Sequence, residues 1–572
     1  MRFPNIYTLF RAQTAKYRGT PIFYSRVNDA WKSQNWEDFQ TQVHDFACAL
    51  LAKNLTRGAS VAILAGNIPE WTIADVATIA AGGVGVGIYP TSSSEQCEYI
   101  INHSDAEFLF VDTYEQYEKA TATSAPFPKL KEIIVLEQID ETSVELVEKE
   151  NRFSVDVKYI PVTSYKNFLE FGRQNRDEFL PQIEKIGFGA KPEDTAIMVY
   201  TSGTTGEPKG AMLSHRYILN SCESLRQSIP IFDTDVSFSY LPGCHVAERI
   251  SGIYNRLYNG ARVCFVDDLK RLYDYMLEIK PTVFASLPRF FEKIYAKVVS
   301  ENGKEVEAQI LKNAFGGNIR LLTSGGAPLP NEIADFFARR DLPILQAYGL
   351  TENICVAFNR ANDFRFGTVG QAMPMCDIKI AEDGEILVKS PMMFSGYYKD
   401  ASKTAEMFDT DGWLKTGDLG SLDADGFLKI TGRKKEIIVL SSGKNVAPAL
   451  LENLLKENHL VSQVFVSGDG RSYLIALITL NQAEVEAFAR ASKIEFADFA
   501  DLTKNEMILQ SIAETVARAN ARVSSPEQIK NYLILDRDFS AESDEITPTL
   551  KLKRNIVSAK FSNEIENLYK KL

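Results

Sequence analysis

Short apolar runs rich in β-forming residues alternate along the chain with longer amphipathic stretches. Runs at 60–66 (SVAILAG), 196–200 (AIMVY), 262–266 (RVCFV), 319–325 (IRLLTSG) and 385–390 (EILVKS) predict strands. Several lead directly into glycine-rich loops. That alternation predicts an α/β fold, and open α/β sheets bind ligands beyond the carboxyl ends of their strands. The longest uncharged stretch, 76–94 (VATIAAGGVGVGIYPTSSS), holds glycines, a proline and serines, so it predicts a buried helix–strand passage and not a membrane span. Residues 113–190 are more charged and less patterned, and are expected to form a variable region. The character changes again near 431–440 (TGRKKEIIVL). Beyond it lie about 130 residues, enough for a small separate domain. They hold a helix-like APALLENLLKEN and strand-like VSQVFVSG and RSYLIALITL.

Length and composition narrow the class. At 572 residues two to four domains are expected, and 45% hydrophobic with 24% charged residues is the balance of a globular protein with a core. Lysine and arginine number 63 against 75 aspartate and glutamate, a net charge of −12. This argues against wrapping nucleic acid, which needs a broad basic face. A polyanionic ligand would have to meet a local cationic patch. The seven cysteines are scattered without a CxxC pair, so neither a disulfide framework nor a zinc site is predicted, and a reducing compartment fits best. The N-terminus lacks the sustained apolar core of a signal peptide. A cytoplasmic location is expected, with peripheral membrane contact left open and oligomeric state unreadable.

The densest chemistry lies at 199–215, VYTSGTTGEPKGAMLSH. A strand ending at Tyr200 runs into Thr201, Ser202, Gly203, Thr204, Thr205 and Gly206, followed by Lys209. Glycines let backbone N–H groups turn toward an anion, hydroxyls add donors, and Lys209 supplies a point charge. The spacing is not GxxxxGK[ST], so this is no Walker loop.

The stretch resembles the phosphate loop of the adenylate-forming superfamily, and further motifs follow in that family's order. SGGAPL (324–329) is similar to its adenine-side strand and turn, QAYGLTE (346–352) to its Mg-ATP element, and GWLKTGDLG (412–420) to its ribose segment. GRKKEIIVLSSGKNVAP (432–448) is similar to its hinge and following loop, and TPTLKLKR (547–554) to the segment carrying its C-terminal lysine. The resemblance implies a large N-terminal adenylate-forming domain with several β-sheets and helices over 1–433. A small mobile α+β C-terminal domain would occupy 434–572. By the same likeness, Gly326, Ala327, Pro328, Gln346, Ala347, Tyr348 and Gly349 frame the nucleotide, with Thr351 near the α-phosphate and Glu352 holding magnesium. Asp418 would accept the ribose hydroxyls, Arg433 would reach ribose or phosphate, Lys435 would be the hinge and Gly443 would border the pantetheine channel. Lys551 takes the place of the lysine that contacts carboxylate and α-phosphate, with Lys553 a nearby competitor. His245, in YLPGCHVAERI, lies where the family has its acyl-pocket edge; a structural role for it stays open. Cys244 has no general base beside it and is assigned no nucleophilic role.

The implied reaction has two steps. A carboxylate attacks the α-phosphorus of ATP to give acyl-AMP and pyrophosphate; coenzyme A then displaces AMP. Arg433, Lys434 and Lys444 could form the cationic patch for coenzyme A. The 412–448 segment and KPTVFASLPRFFEKIY (280–295) resemble long-chain fatty acid–CoA ligases most. A fatty acyl-AMP ligase that loads a carrier protein, a luciferase-like oxygenase and a catalytically silent nucleotide-binding scaffold are the alternatives.

Overall fold

The structure is a computed structural model that describes residues 2–122, 125–137, 160–201, 207–540, 543–547 and 551–570. Its contacts divide it into two compact units. The first comprises Met1–Thr201, Pro208–Ile378 and Val388–Leu414, and the second Lys379–Leu387 and Lys415–Leu572.

Three sheets build the first unit. The largest has eight strands in the order Gly396–Tyr397, Lys209–Ser214, Thr195–Thr201, Val84–Ile88, Ser60–Leu64, Ala106–Val111, Glu132–Val135, Val162–Ser164. Its central strands are parallel and wholly buried, which is why they read as unbroken apolar runs. At one edge the sheet turns antiparallel: Thr195–Thr201 pairs with Lys209–Ser214, which pairs with Gly396–Tyr397. A second sheet orders Val283–Ser286, Leu321–Ser324 and Ile344–Leu350 in parallel, then Asn353–Phe358 and Gln371–Ala372 antiparallel. The third, of four strands, joins the hairpin Pro21–Val27 and Ala30–Asn35 to Arg262–Phe265 and Val236–Ser239.

All five strands read from the sequence are present, as Ser60–Leu64, Thr195–Thr201, Arg262–Phe265, Leu321–Ser324 and Glu385–Lys389. The 76–94 passage is the end of helix Pro69–Ala80 followed by strand Val84–Ile88. Among the described residues no helix is long and apolar enough to cross a membrane. The 113–190 region departs from expectation. It supplies two strands of the main sheet, Glu132–Val135 and Val162–Ser164, and the helices Tyr114–Thr121, Tyr165–Gln174 and Arg176–Gly189. Its helices carry exposed charged residues, while Phe168, Leu169, Ile183 and the ion-paired Glu132 are buried.

The second unit carries most of a sheet ordered Asp377–Ile380, Glu385–Lys389, Leu414–Leu422, Leu428–Arg433. Beyond it, Val461–Ser467, Leu474–Leu480 and Ile529–Ile534 form a three-stranded sheet. Alternate residues face two cores: Val464, Val466, Ala476 and Ile478 pack with helices Pro448–Lys456 and Glu506–Asn520. Phe465, Ile475 and Leu477 pack with helices Arg554–Lys560 and Ser562–Lys570. The helix-like and strand-like segments read after residue 440 are thus all present.

One buried ion pair ties the first unit together behind the 195–201 strand. Arg249, fully buried in a π-helical stretch Ala247–Tyr254, pairs with the fully buried Asp75 of helix Pro69–Ala80. Its Nη1 donates to the Met198 carbonyl at 3.3 Å and its guanidinium lies 5.0 Å from the Trp71 ring centroid, while the Tyr254 hydroxyl donates to Asp75 at 2.7 Å. Gly85 leaves room for this cluster, since a Cβ there would fall 2.1 Å from Asp75 Oδ1. Removing one partner strands a charge in a dry interior. Asp75→Ala should therefore lower unfolding stability by about 3–5 kcal/mol, as read by urea denaturation; a cost below about 1 kcal/mol would mean the pair is not desolvated as the structure has it.

Candidate active site

Thr201 and Lys209 face each other in register on antiparallel strands, so the phosphate-loop motif spans a hairpin connection. The sequence had suggested a strand running into a ligand loop of the α/β kind, whereas here the chain returns as a strand beside the first. Ser202, Gly203, Thr204, Thr205 and Gly206 lie outside the described residues.

Glu352 and Thr351 form the tip of a second hairpin, between Ile344–Leu350 and Asn353–Phe358, whose last pair is Leu350 with Asn353. Two tyrosines hold that tip. The Tyr217 hydroxyl donates to the Thr351 carbonyl at 2.9 Å and accepts from the Ile354 N–H at 3.0 Å. The Tyr397 hydroxyl donates to Glu352 Oε1, and the Phe394 N–H donates to the Glu352 carbonyl at 2.8 Å. Burial and the Glu352 carboxylate push the Tyr397 phenol above its ordinary value, so it stays protonated as the donor. Lys209 Nζ lies 5.3 Å from the centroid of the same Tyr397 ring. Glu352 is 8% exposed, yet among the described residues it has no cationic partner and no donor to Oε2.

The residues likened to an adenine-side turn also come together. Ser324 pairs with Gln346 across parallel strands, and Gln346 Oε1 accepts from the Leu329 N–H at 3.3 Å. Gly326, Ala327 and Pro328 are exposed between them, with Gly326 at φ +79°. Beneath the turn the Ser324 hydroxyl is buried without a described hydrogen-bond partner. Ala347 and Tyr348 pair with Phe358 and Ala357, and the ladder shifts register at Gly349. A Cβ on Gly349 would sit 1.9 Å from the Ile354 carbonyl oxygen, so only glycine fits the turn that delivers Glu352.

His245 opens the π-helical stretch: its Nδ1 accepts from the Ala247 N–H at 3.1 Å, and its partly exposed ring is 6.5 Å from that of Tyr89. Burial pushes the Cys244 thiol up, which disfavours a thiolate there. All seven cysteines are free and buried.

In the second unit Asp418, 5% exposed, faces Arg433 across an antiparallel pair, with Arg433 Nε 3.1 Å from Asp418 Oδ1. Next to it within the strand Leu414–Leu422, Gly417 takes φ +73° and its N–H donates to Glu385 Oε1 at 2.9 Å. The patch suggested by the sequence is internally matched: Lys434 contacts Asp383 at 2.5 Å and Glu385 at 2.7 Å, and Lys444 lies 3.8 Å from Glu527. Lys435 is exposed and has no described ion-pair partner. Gly443, at φ +80°, turns the chain between Ile438–Val439 and Asn445–Val446, with open space around it. Lys551 is exposed and its backbone N–H donates to the Thr547 hydroxyl at 3.1 Å; the Lys553 ammonium pairs with Asp544. Sequence reasoning missed Tyr217 and Tyr397, because nothing in their spacing links them to the motifs they brace.

The chain is thus built as two units, with a hairpin at Thr201 and Lys209 and a buried glutamate that has no cationic partner among the described residues. Residues 10–398 match the family model of the AMP-binding enzymes and residues 435–572 that of the AMP-binding enzyme C-terminal domain. The chain belongs to the AMP-binding enzyme family. It is 33% identical to the long-chain-fatty-acid–CoA ligase FadD15 of Mycobacterium bovis, over 96% of this chain and 94% of that one. It is 30% identical to the peroxisomal long chain acyl-CoA synthetase 6 of Arabidopsis thaliana, over 97% and 84%. In fold it is similar to the adenylation domain of a Mycobacterium chelonae carboxylate reductase, with TM-score 0.80 and 22% identity over 99% and 91% of the two chains.

The geometry makes Gly349 a direct test of the site. Gly349→Ala should weaken ATP binding at least tenfold by displacing the Tyr348–Glu352 turn, as measured by calorimetric titration. Unchanged affinity would mean the turn does not serve the nucleotide.

Proposed function

We propose that this protein is an ATP-dependent fatty acid–CoA ligase. It joins a long-chain fatty acid to coenzyme A through an acyl-AMP intermediate and releases AMP and pyrophosphate. The observation that carries this reading is the buried Glu352 carboxylate, lacking a described cation, on a tyrosine shared with Lys209. It stands in a chain that matches long-chain ligases over nearly its whole length. Buried charges are normally paired or bound to metal, and a hard carboxylate oxygen suits Mg²⁺. Among the described residues no cluster of three or more metal-ligating side chains occurs. A single carboxylate fits a magnesium ion that arrives with ATP and takes its remaining ligands from phosphate and water. When bound, that ion supplies charge neutralisation to the phosphates.

The chain's own residues then have these roles. Lys209, with the Thr201–Gly206 loop, steadies the β- and γ-phosphates. Gly326, Ala327, Pro328 and Gln346–Gly349 hold the adenine side, Thr351 lies toward the α-phosphate, and Asp418 with Arg433 receives the ribose. Lys551 approaches the reacting carboxylate and α-phosphate, stabilising the charge that develops as the acyl–phosphate bond forms. Lys551 must leave for coenzyme A to enter, so we place a pivot at the exposed Lys435 and read 1–433 and 434–572 as the moving bodies. The C-terminal family match, which starts at residue 435, supports that division. The open Gly443 turn then borders the pantetheine path, and His245 edges the acyl pocket. Each buried CH₂ contributes about 0.8 kcal/mol, so tunnel depth dominates the choice of acid.

Pyrophosphate release over carboxylic acids from acetate to C18 and aryl acids, with and without coenzyme A, tests the function, with products read by mass spectrometry. Long-chain acids should give thioesters. A preference for acetate or benzoate would overturn the long-chain reading, and adenylate made without any thioester would favour an acyl-AMP ligase. For the lysine, Lys551→Ala should lose adenylation by at least about a hundredfold, on the scale of a lost transition-state donor, while still converting supplied acyl-AMP to acyl-CoA. If Lys553→Ala shows that split and Lys551→Ala does not, the role passes to Lys553.

A further inference from the structure

The Tyr397 side chain touches two groups of opposite charge that do not touch each other. Its hydroxyl donates to Glu352 Oε1, and its ring carries the Lys209 ammonium 5.3 Å from the centroid. Neither Lys209 nor Glu352 forms an ion pair with any described residue, so they do not neutralise one another although one side chain contacts both. The tyrosine is itself rigidly held. It is 7% exposed, and Tyr397 pairs with Ala211 in the sheet, two residues from Lys209. Its N–H donates to Thr404 Oγ1 at 2.8 Å, and its ring packs edge-on against Phe394 at 4.9 Å, the residue whose N–H holds the Glu352 carbonyl.

We propose that Tyr397 is a positioning residue with two tasks: its O–H fixes one oxygen of Glu352 so that the other faces a divalent cation, and its ring separates Lys209 from Glu352. The proposal rests on reading Glu352 as the metal-binding carboxylate. A hydrogen bond to one oxygen of a ligating carboxylate fixes its orientation, and such outer partners typically govern metal affinity by about 10–100-fold. The aromatic face meanwhile offers the ammonium a favourable resting place without a carboxylate. The site is thereby kept as two separated charges, a cation for phosphate and an anion for metal, rather than as a closed salt bridge.

The test is Mn²⁺ binding followed by electron paramagnetic resonance in the presence of α,β-methylene-ATP, with thermal unfolding measured alongside. Wild type, Tyr397→Phe, Tyr397→Leu and Glu352→Gln are compared. Tyr397→Phe keeps the ring and loses only the O–H; it should fold and weaken Mn²⁺ at least about tenfold. Tyr397→Leu also removes the ring and should further weaken the nucleotide analogue measured without metal, as Lys209 closes on Glu352. If Glu352→Gln loses Mn²⁺ while both Tyr397 variants bind it within twofold of wild type, the positioning role is overturned and the metal reading stands. If Glu352→Gln itself retains Mn²⁺ affinity, the metal reading falls and this proposal with it. Equal nucleotide affinity in Tyr397→Phe and Tyr397→Leu removes the spacer task.

Discussion

The pairing of the two-residue strand Gly396–Tyr397 onto Lys209–Ser214 is the constraint on which the candidate site depends. It joins segments almost two hundred residues apart and sets Tyr397 against both the phosphate-motif lysine and the Glu352 hairpin. Backbone bonds from Ser395 to Met212 at 2.9 Å and from Tyr398 to Gly210 at 2.8 Å fix its register. A slip of one residue would turn the Tyr397 side chain to the other face of the sheet. Lys209 and Glu352 would then lose their shared neighbour. At 4 Å and an effective dielectric of 20, their attraction would be about 4 kcal/mol. On the roles proposed for them, every nucleotide would have to break that pair before its phosphates met the lysine. An aromatic wall between them removes a competitor that the two residues would otherwise supply to each other.

The buried Asp75–Arg249 pair acts one layer further in. Arg249 reaches the Met198 carbonyl three residues before Thr201, so the strand that delivers the phosphate motif is anchored by a charge network and not by packing alone. Such a pair adds little net stability relative to an apolar cluster of the same volume. What it adds is direction: a guanidinium with its hydrogen bonds committed admits few alternative placements of the strand that it touches.

Much of this was legible in the sequence, for reasons that differ by element. The buried strands at Ser60–Leu64 and Leu474–Leu480 showed themselves because both faces are covered and their apolar runs are continuous. The motifs were legible because glycine, hydroxyl and charged residues occur in a fixed order. Residues 113–190 were not, since a four-residue strand such as Glu132–Val135 is hidden among helices whose outer faces are charged. Tyr217 and Tyr397 were invisible because their partners are 134 and 45 residues away. Lys434 was misleading for the same reason: its carboxylates, Asp383 and Glu385, come about fifty residues earlier in the chain.

That last mismatch has a consequence for how an acidic protein could hold polyanions. Arg433, Lys434 and Lys444 all face carboxylates, so they do not form an unopposed positive field. Where both members are exposed, as in Lys434–Asp383, such a pair is worth only about 0–1 kcal/mol, and exchanging it for a phosphate contact costs little. Asp418 and Glu385 are buried, and they hold their cations in place more firmly. Asp418 shows the arrangement most fully: it is buried while its partner Arg433 is half exposed, so the arginine can turn outward while the aspartate stays fixed. On this reading, ligand charge is met by cations released from weak internal pairs and by Lys209 and Lys435, which have no ion-pair partner among the described residues. Strong net positive charge is unnecessary, which is how a chain with a net charge of −12 can be built to handle nucleotides.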